Sequence, residues 1–211
     1  MPKKLTVYGF DASTYVRTVR MLLAEKGAKY DQVDVNVLEG EPRQPAHIKR
    51  HPFGKVPVIE HDGLKIIETS AITRYLDDVL PGKKLIPGNP KDRARMDMCL
   101  SVIDCYGYGA LVGVAAYHLF PDFVGGKNEE MRKECIEKSR LVLTELMKLR
   151  GKDNWIAGSE PTLADFFLAP ICFYVNMTED KDKVFDVPGF ADWWKRVQGL
   201  KSYISTEPDL G

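Results

Sequence analysis

Residues 53–70, FGKVPVIEHDGLKIIETS, constrain the fold of this chain more than any other stretch. Two short apolar runs, 56–59 and 64–67, flank Asp62-Gly63, residue types that tolerate the positive φ of a two-residue hairpin turn. Ala71, Ile72, Tyr75 and Leu76 then recur at helical spacing. Thr69 stands where a capping hydroxyl belongs, and the start of that helix presents unpaired N–H groups that attract anions. Pro57 has no N–H to give to a ladder, so a backbone edge stays open beside it. An open edge, the Glu68 carboxylate and an anion-attracting helix start in one hairpin–helix unit suit a small ligand carrying both an amino group and a carboxylate.

The flanking sequence extends this unit into a sheet. Residues 4–8 are strand-like. Val16, Val19, Leu22 and Leu23 form a helical stripe that ends around 25–27, and 30–37 alternates apolar and polar residues as a strand does. Strand–helix–strand implies a parallel crossover and the hairpin implies antiparallel neighbours, which together predict a βαβ-ββα sheet with helices on it. Residues 81–91, PGKKLIPGNPK, carry three prolines and two glycines and read as a linker. Beyond it helical periodicity dominates, over roughly 92–119, 128–150, 163–177 and 190–198. Thr162-Leu163-Ala164-Asp165 is a capping box with aspartate in place of glutamate and predicts the start of a buried helix.

Composition narrows the partners. Lys plus Arg equals Asp plus Glu at 30 each, so no bulk field draws the chain to nucleic acid or to acidic lipid. The longest uncharged apolar stretch, 109–117, is too short to span a bilayer, and 7–11 interrupts any signal-peptide core. The expectation is a cytoplasmic protein with no nucleic-acid or membrane partner. Cys99, Cys105, Cys135 and Cys172 contain no Cys-x-x-Cys, all fall in helical sequence, and read as reduced core thiols. His47 and His51 stand four apart without a third ligand nearby and read as surface histidines rather than a metal site. The run from Gly107 to Gly113 misses the dinucleotide fingerprint by one position and has no strand before it, so it reads as a close-packed helix. Lys and Arg near 148–152 read as a solvated face.

With these elements in place, the chain resembles the cytosolic glutathione transferases end to end. The segments VYGFDASTYVRTVRMLLAEKGAKY, LEGEPRQPAHIKRHPFGKVPVIEHDG and ETSAITRYL look like the pattern of the phi class and its serine-using bacterial relatives. The capping box at Thr162–Asp165 is similar to the family's helical-domain motif. The resemblance implies an α/β thioredoxin-like domain over 1–80 that binds glutathione, a linker at 81–91, and an all-α domain over 92–211 that contributes an electrophile pocket. It further implies a detoxifying enzyme that needs no cofactor beyond glutathione as co-substrate and works as a homodimer.

The resemblance also assigns roles. Ser13 would hydrogen-bond the glutathione sulfur and hold it as thiolate, with Thr14 as the neighbouring alternative. Val56, beside a cis Pro57, would pair with the cysteinyl unit, while Glu68 and Thr69 would hold the γ-glutamyl amine and carboxylate. Two positions depart from the phi pattern: Pro42-Arg43 replaces His-Lys, and Lys55 replaces Gln. Arg43 would still reach the glycyl carboxylate, and Lys55 adds a cation beside a doubly carboxylated peptide. Phe10, Tyr106 and Tyr117 are candidates to line the electrophile pocket; Tyr106, Ala110, Gly113 and Tyr117 share one helical face, where core packing is the competing reading.

Plainer readings stand beside these. Ser13 or Thr14 can simply cap a helix, Glu68 can be an ordinary first-turn carboxylate, and Arg17 can either polarise the sulfur site or sit in solvent. Phe53 is either a subunit contact or part of its own domain's core. A glutathione-binding carrier with little turnover is the alternative function. A thiol reductase is disfavoured because no cysteine lies near Ser13, and a maleylacetoacetate-type isomerase because there is no Ser-Ser-Cys run.

Overall fold

Leu5 and Val7 are buried while Thr6 and Tyr8 are partly exposed, the alternation that makes Leu5–Tyr8 (β1) a strand with one face on a core. The computed structural model describes residues 4–210. After β1 the chain enters Thr14–Glu25 (α1), whose Val16, Val19, Leu22 and Leu23 are wholly buried. It returns through Asp31–Val33 (β2), parallel to β1. Pro45–Ile48 (α2) precedes Val58–His61 (β3), which runs antiparallel to β1 and pairs with Leu64–Ile67 (β4). Asp62 and Gly63 both take positive φ, 55° and 83°, as a two-residue turn between right-twisted strands requires. Thr69–Val79 (α3) closes the unit, giving a sheet of order β2-β1-β3-β4. Ile72 and Leu76 of α3 are wholly buried and α3 packs against α1. Each such side chain contributes roughly 1.5–3 kcal/mol relative to exposure.

The expected strand over 30–37 is cut to three residues. Past Val33 the backbone is captured locally: Asn36 N donates to Glu41 Oε2 at 2.6 Å and Leu38 N donates to Asn36 Oδ1 at 3.0 Å. Such side-chain bonds give the chain an alternative to the ladder.

The expected boundaries also shift. One compact unit comprises residues up to Leu85 together with the segment from Leu200, and the other is Ile86–Gly199. The first half of the anticipated linker is fastened to the first unit by a buried ion pair, Lys26 Nζ to Asp77 Oδ1 at 2.7 Å. Lys26 also donates to the Lys83 carbonyl at 2.6 Å, and Asp77 Oδ1 accepts from Leu85 N at 2.9 Å. The C-terminal segment, assigned from sequence to the helical domain, returns to the first unit as Lys201–Ser205 (α10) against α1. Arg17 is the reason. It is neither solvated nor free for a sulfur site, because it is buried, donates to the Tyr203 carbonyl at 2.9 Å and lies 4.3 Å over the Tyr203 ring.

The second unit is helical. Pro90–Val102 (α4), capped by Asn89, runs through a π-helical turn at Ile103–Gly107 into Tyr108–Leu119 (α5). Glu129–Arg150 (α6), Leu163–Asn176 (α7), Lys181–Phe185 (α8) and Phe190–Gln198 (α9) follow. The glycines of the expected close-packed helix meet a second helix: a Cβ on Gly107 would lie 3.0 Å from Val142, and one on Gly113 2.4 Å from Cys135 Sγ. Taken as one 30-residue stretch, Pro90–Leu119 is long and apolar enough to cross a membrane, more than the short run at 109–117 anticipated. Its α5 portion packs against α6 and α7.

At the head of α7 the capping box forms as predicted, with Thr162 N donating to Asp165 Oδ2 at 2.9 Å. Asp165 is wholly buried and also accepts from Ile156 N at 2.9 Å and Trp193 Nε1 at 2.8 Å. Burial pushes its carboxyl up, while these donors pull it back. Of the four thiols, Cys99 and Cys172 are core residues, Cys135 is half-buried and Cys105 is exposed in the π-helical turn, so the expectation of core thiols holds for only part of the set. Burial pushes the Cys99 thiol up to about 11. Arg150, read from sequence as solvated, is buried beside Gly189.

Candidate functional site

Ser13 is the N-cap of α1, in extended backbone, and its Oγ accepts from Val16 N at 3.4 Å. The capping reading is therefore correct for Ser13, and it does not compete with chemistry. A hydroxyl that accepts from the helix keeps its own O–H to donate. No acidic residue occupies the first turn of α1, so the positive end of the helix is uncompensated there. Thr14 is the first helical residue, and its carbonyl accepts from Thr18 Oγ1 at 3.2 Å.

The loop from β1 to Ser13 is held in place by residues that the sequence did not single out. Gln32 Nε2 donates to the Gly9 carbonyl at 3.1 Å and to Asp11 Oδ1 at 2.7 Å. Gly9, at φ 151°, passes so close to its neighbours that a Cβ would meet Val16 Cγ2 at 2.4 Å and Val56 Cβ at 3.4 Å. That close approach brings the Ser13 loop alongside the Val56–Pro57 peptide, which is cis, with Pro57 buried and Val56 partly exposed.

Two histidines brace the next segment. His47 Nε2 meets the Lys55 carbonyl at 2.7 Å, directly ahead of Val56. His51 Nε2 stands 3.7 Å from Glu68 Oε1. Both rings are buried, at 3% and 1% exposure, which corrects their reading as surface histidines. With only four helical residues in α2, no periodic stripe betrays its inner face; the i, i+4 spacing was the one available signal. Burial pulls His51 below the usual imidazole value, against the pull of Glu68. Arg43 is exposed and its Cγ lies against the Gly54 turn, 3.6 Å from where a Cβ would stand. The Lys55 side chain is exposed as well. Two cations thus flank one end of the Val56 edge.

At the other end the cap differs from expectation. Glu68, not Thr69, precedes the first turn of α3, and it does so with φ 69° and ψ 119° and no side-chain capping bond. Thr69 is the buried first helical residue. A non-glycine residue at such a φ costs on the order of 1–3 kcal/mol and persists where surroundings hold it, commonly at binding sites. Ser13, Val56, Pro57, Lys55, Arg43, Glu68 and Thr69 therefore all lie on the loops and helix starts of one unit.

The aromatic candidates do not group as anticipated. The π-helical turn inserts an extra residue and rotates the helix, so Tyr106 is 70% exposed while Tyr117 is buried. The Tyr117 hydroxyl donates to Glu129, and Arg132 lies 5.0 Å over its ring. Arg132 in turn holds the buried Asp180 through two bonds of 2.6 and 2.8 Å, and Asp180 also receives His118 at 2.7 Å and Lys183 at 2.8 Å. A cavity of about 370 Å³ opens beside this cluster, lined by Tyr117, His118, Lys127 and Met177 among others. Phe10 is partly exposed, and its carbonyl accepts from Ser13 N at 3.1 Å. Among the described residues no group of three or more His, Cys, Asp or Glu is placed to hold a metal ion.

Comparison with known proteins gives the same picture at both ends of the chain. Residues 3–78 match the model of the glutathione S-transferase N-terminal domain, and residues 107–200 that of the C-terminal domain. A maize protein, glutathione S-transferase 4, is 30% identical over 92% of this chain and 86% of its own length. A maleylacetoacetate isomerase from Pseudomonas aeruginosa is 31% identical over 97% of this chain and 92% of its own. The crystal structure of glutathione transferase F7 from Populus trichocarpa superposes with a TM-score of 0.87 at 25% identity, covering 96% of this chain and 97% of that one.

Proposed function

This chain belongs to the glutathione S-transferase family, as a phi-class-like glutathione transferase, and we propose that Ser13 stabilises the glutathione thiolate on which its reaction depends. The enzyme joins the sulfur of glutathione to an electrophilic carbon. A free thiol ionises near pH 8.5, so only a few per cent is thiolate at neutral pH. Lowering that value by about two units takes ~2.7 kcal/mol of preference for the anion. The Ser13 O–H and the uncompensated start of α1 are the two groups that supply it. The thiolate attacks the electrophile, and the leaving group departs or the adduct takes a proton from solvent.

The other assignments follow the same edge. The Val56 backbone beside cis Pro57 takes the cysteinyl unit, and Glu68 with the start of α3 takes the γ-glutamyl ammonium and carboxylate. Arg43 and Lys55 take the glycyl carboxylate, replacing the residues missing from the phi pattern. Hydrophobic electrophiles are the proposed co-substrates, with Phe10 beside Ser13 and the exposed Tyr106 as candidates to meet them. Tyr117 is buried with its hydroxyl on Glu129 and lines the cavity beside Asp180. Conjugation of this kind is a detoxifying reaction, and we place it in the cytoplasm of a homodimeric enzyme. The isomerase relative does not alter the reading, because Ser13-Thr14-Tyr15 stands here where a Ser-Ser-Cys run would be sought.

The single observation that carries the mechanism is the position of Ser13: helix cap, free O–H and proximity of its loop to Val56 at once. With an aryl halide as acceptor, Ser13→Ala lowers kcat by roughly a hundredfold or more, as loss of one anion-stabilising donor does, and leaves glutathione affinity within a few fold. Thr14→Ala does less. Reversed sensitivities move the role to Thr14, and indifference to both removes the hydroxyl mechanism.

A further inference from the structure

Glu68 has titratable neighbours outside the peptide edge just described. His51 is the nearest titratable one. Its ring is 1% exposed and its Nε2 lies 3.7 Å from Glu68 Oε1, too long for a hydrogen bond but close enough for an ion pair. Its Nδ1 is buried with no partner among the described residues. On its outer side the ring meets Phe53 edge-on, with centroids 6.1 Å apart. The backbone on either side is tied down: His51 N donates to the His47 carbonyl at 2.8 Å and Gly54 N to the His51 carbonyl at 2.9 Å. The ring therefore has little freedom to move away from the carboxylate.

We infer that His51 is a positioning residue for glutathione binding, which leaves the Glu68 carboxylate free for the γ-glutamyl ammonium when neutral and competes for it when protonated. The inference rests on the assignment of Glu68 to that ammonium. Three charged or titratable groups face the ring: Glu68 at the head of α3, His47 on α2 and Lys55 ahead of β3. Burial, His47 and Lys55 all disfavour the imidazolium, and only Glu68 favours it. In neutral solution the ring is thus uncharged and Glu68 is available. A bound ammonium adds a fourth group that disfavours the imidazolium, so ligand and proton exclude one another. By linkage, affinity is highest above the histidine's own pKa and falls as pH drops through it.

S-methylglutathione separates this from chemistry at sulfur, because it has no thiol to ionise. Its calorimetric affinity for the wild-type protein falls severalfold as pH drops from 7.5 through the histidine's own pKa, tending to a limit of roughly fivefold for a pKa displacement of about 0.7 units on binding. In His51→Gln the dependence flattens to within twofold, while in His47→Gln it persists. The wild-type protein supplies a second readout that needs no variant: in an NMR titration the His51 C2–H midpoint moves to lower pH when S-methylglutathione is bound. An unmoved midpoint, or a pH dependence that survives His51→Gln, overturns the inference while leaving the site assignment standing. Failure of S-methylglutathione to bind at any pH overturns both.

Discussion

Glu68 concentrates the residue-level conflict in this molecule. The proposed function asks its carboxylate to hold a ligand ammonium, and its backbone takes a φ of 69° that suits glycine better than glutamate. Two substitutions separate these demands. Glu68→Gln keeps the backbone and removes the charge, so glutathione affinity falls by roughly tenfold or more, the worth of a charge-assisted hydrogen bond, with thermal stability little changed. Glu68→Gly loses the same affinity but relieves strain of about 1–3 kcal/mol, partly offset by the greater freedom of an unfolded glycine, so its Tm is at or above that of the Gln variant. Calorimetry showing full affinity in Glu68→Gln removes the ligand assignment, and a Gly variant melting well below it removes the strain. The strain was invisible in sequence, where Thr69 looked like the better cap. The residues of the candidate site that the sequence singled out, Ser13, Val56, Pro57 and Glu68, are those whose own type and place in the local order of strand, turn and helix suggest a chemistry. His47, His51, Gly9 and Gln32 could not be read so, because each acts through burial or a contact between residues distant in the chain.

The elements were legible wherever a periodic stripe or a turn dipeptide ran long enough to repeat, as in α1, the Asp62-Gly63 hairpin, α6 and α7. They were misread where a side chain competed with the backbone or the period itself slipped. Asn36 and Glu41 ended β2 early, and the π-helical turn broke a single predicted helix into α4 and α5. The join of α5, α6 and α8 escaped notice because it is polar. Asp180 sits buried among Arg132, His118 and Lys183, and Arg132 above all holds its carboxyl far below the usual carboxylate range. A carboxylate so depressed in the folded state stabilises the fold at every pH above its unfolded value, near 3.9, and that contribution is lost as pH falls below it toward the folded value. Asp180→Asn removes the buried charge that Arg132, His118 and Lys183 surround and costs about 3 kcal/mol in urea unfolding at pH 7. The gap to wild type narrows below about pH 4, because the unfolded wild-type chain then takes up a proton that the folded carboxylate still refuses. A constant gap down to pH 2.5 places the acid sensitivity elsewhere.

For the molecule as a whole, the open matter is what covers Phe53. The sequence left it between a place in its own core and a place against a partner, and the structure removes the first choice: the side chain is 74% exposed and touches the His51 ring edge-on. Full burial of a phenylalanine is worth roughly 1.5–3 kcal/mol, a large stabilisation to leave unused on a loop otherwise fixed by hydrogen bonds. A two-fold interface buries the same residue on both subunits, so a single substitution acts twice. Phe53→Ala therefore weakens the proposed homodimer by roughly 3–6 kcal/mol, or about two to four powers of ten in dissociation constant. Because Phe53 also rests on His51, and His51 faces Glu68, the same substitution loosens the proposed γ-glutamyl end of the site and raises the KM for glutathione more than it lowers kcat. Light scattering and sedimentation across micromolar concentrations decide the first point, and steady-state kinetics at a concentration where both proteins share one assembly state decide the second. A wild-type monomer at those concentrations overturns the dimer outright, and an alanine variant that remains dimeric with wild-type affinity leaves Phe53 without a role in assembly.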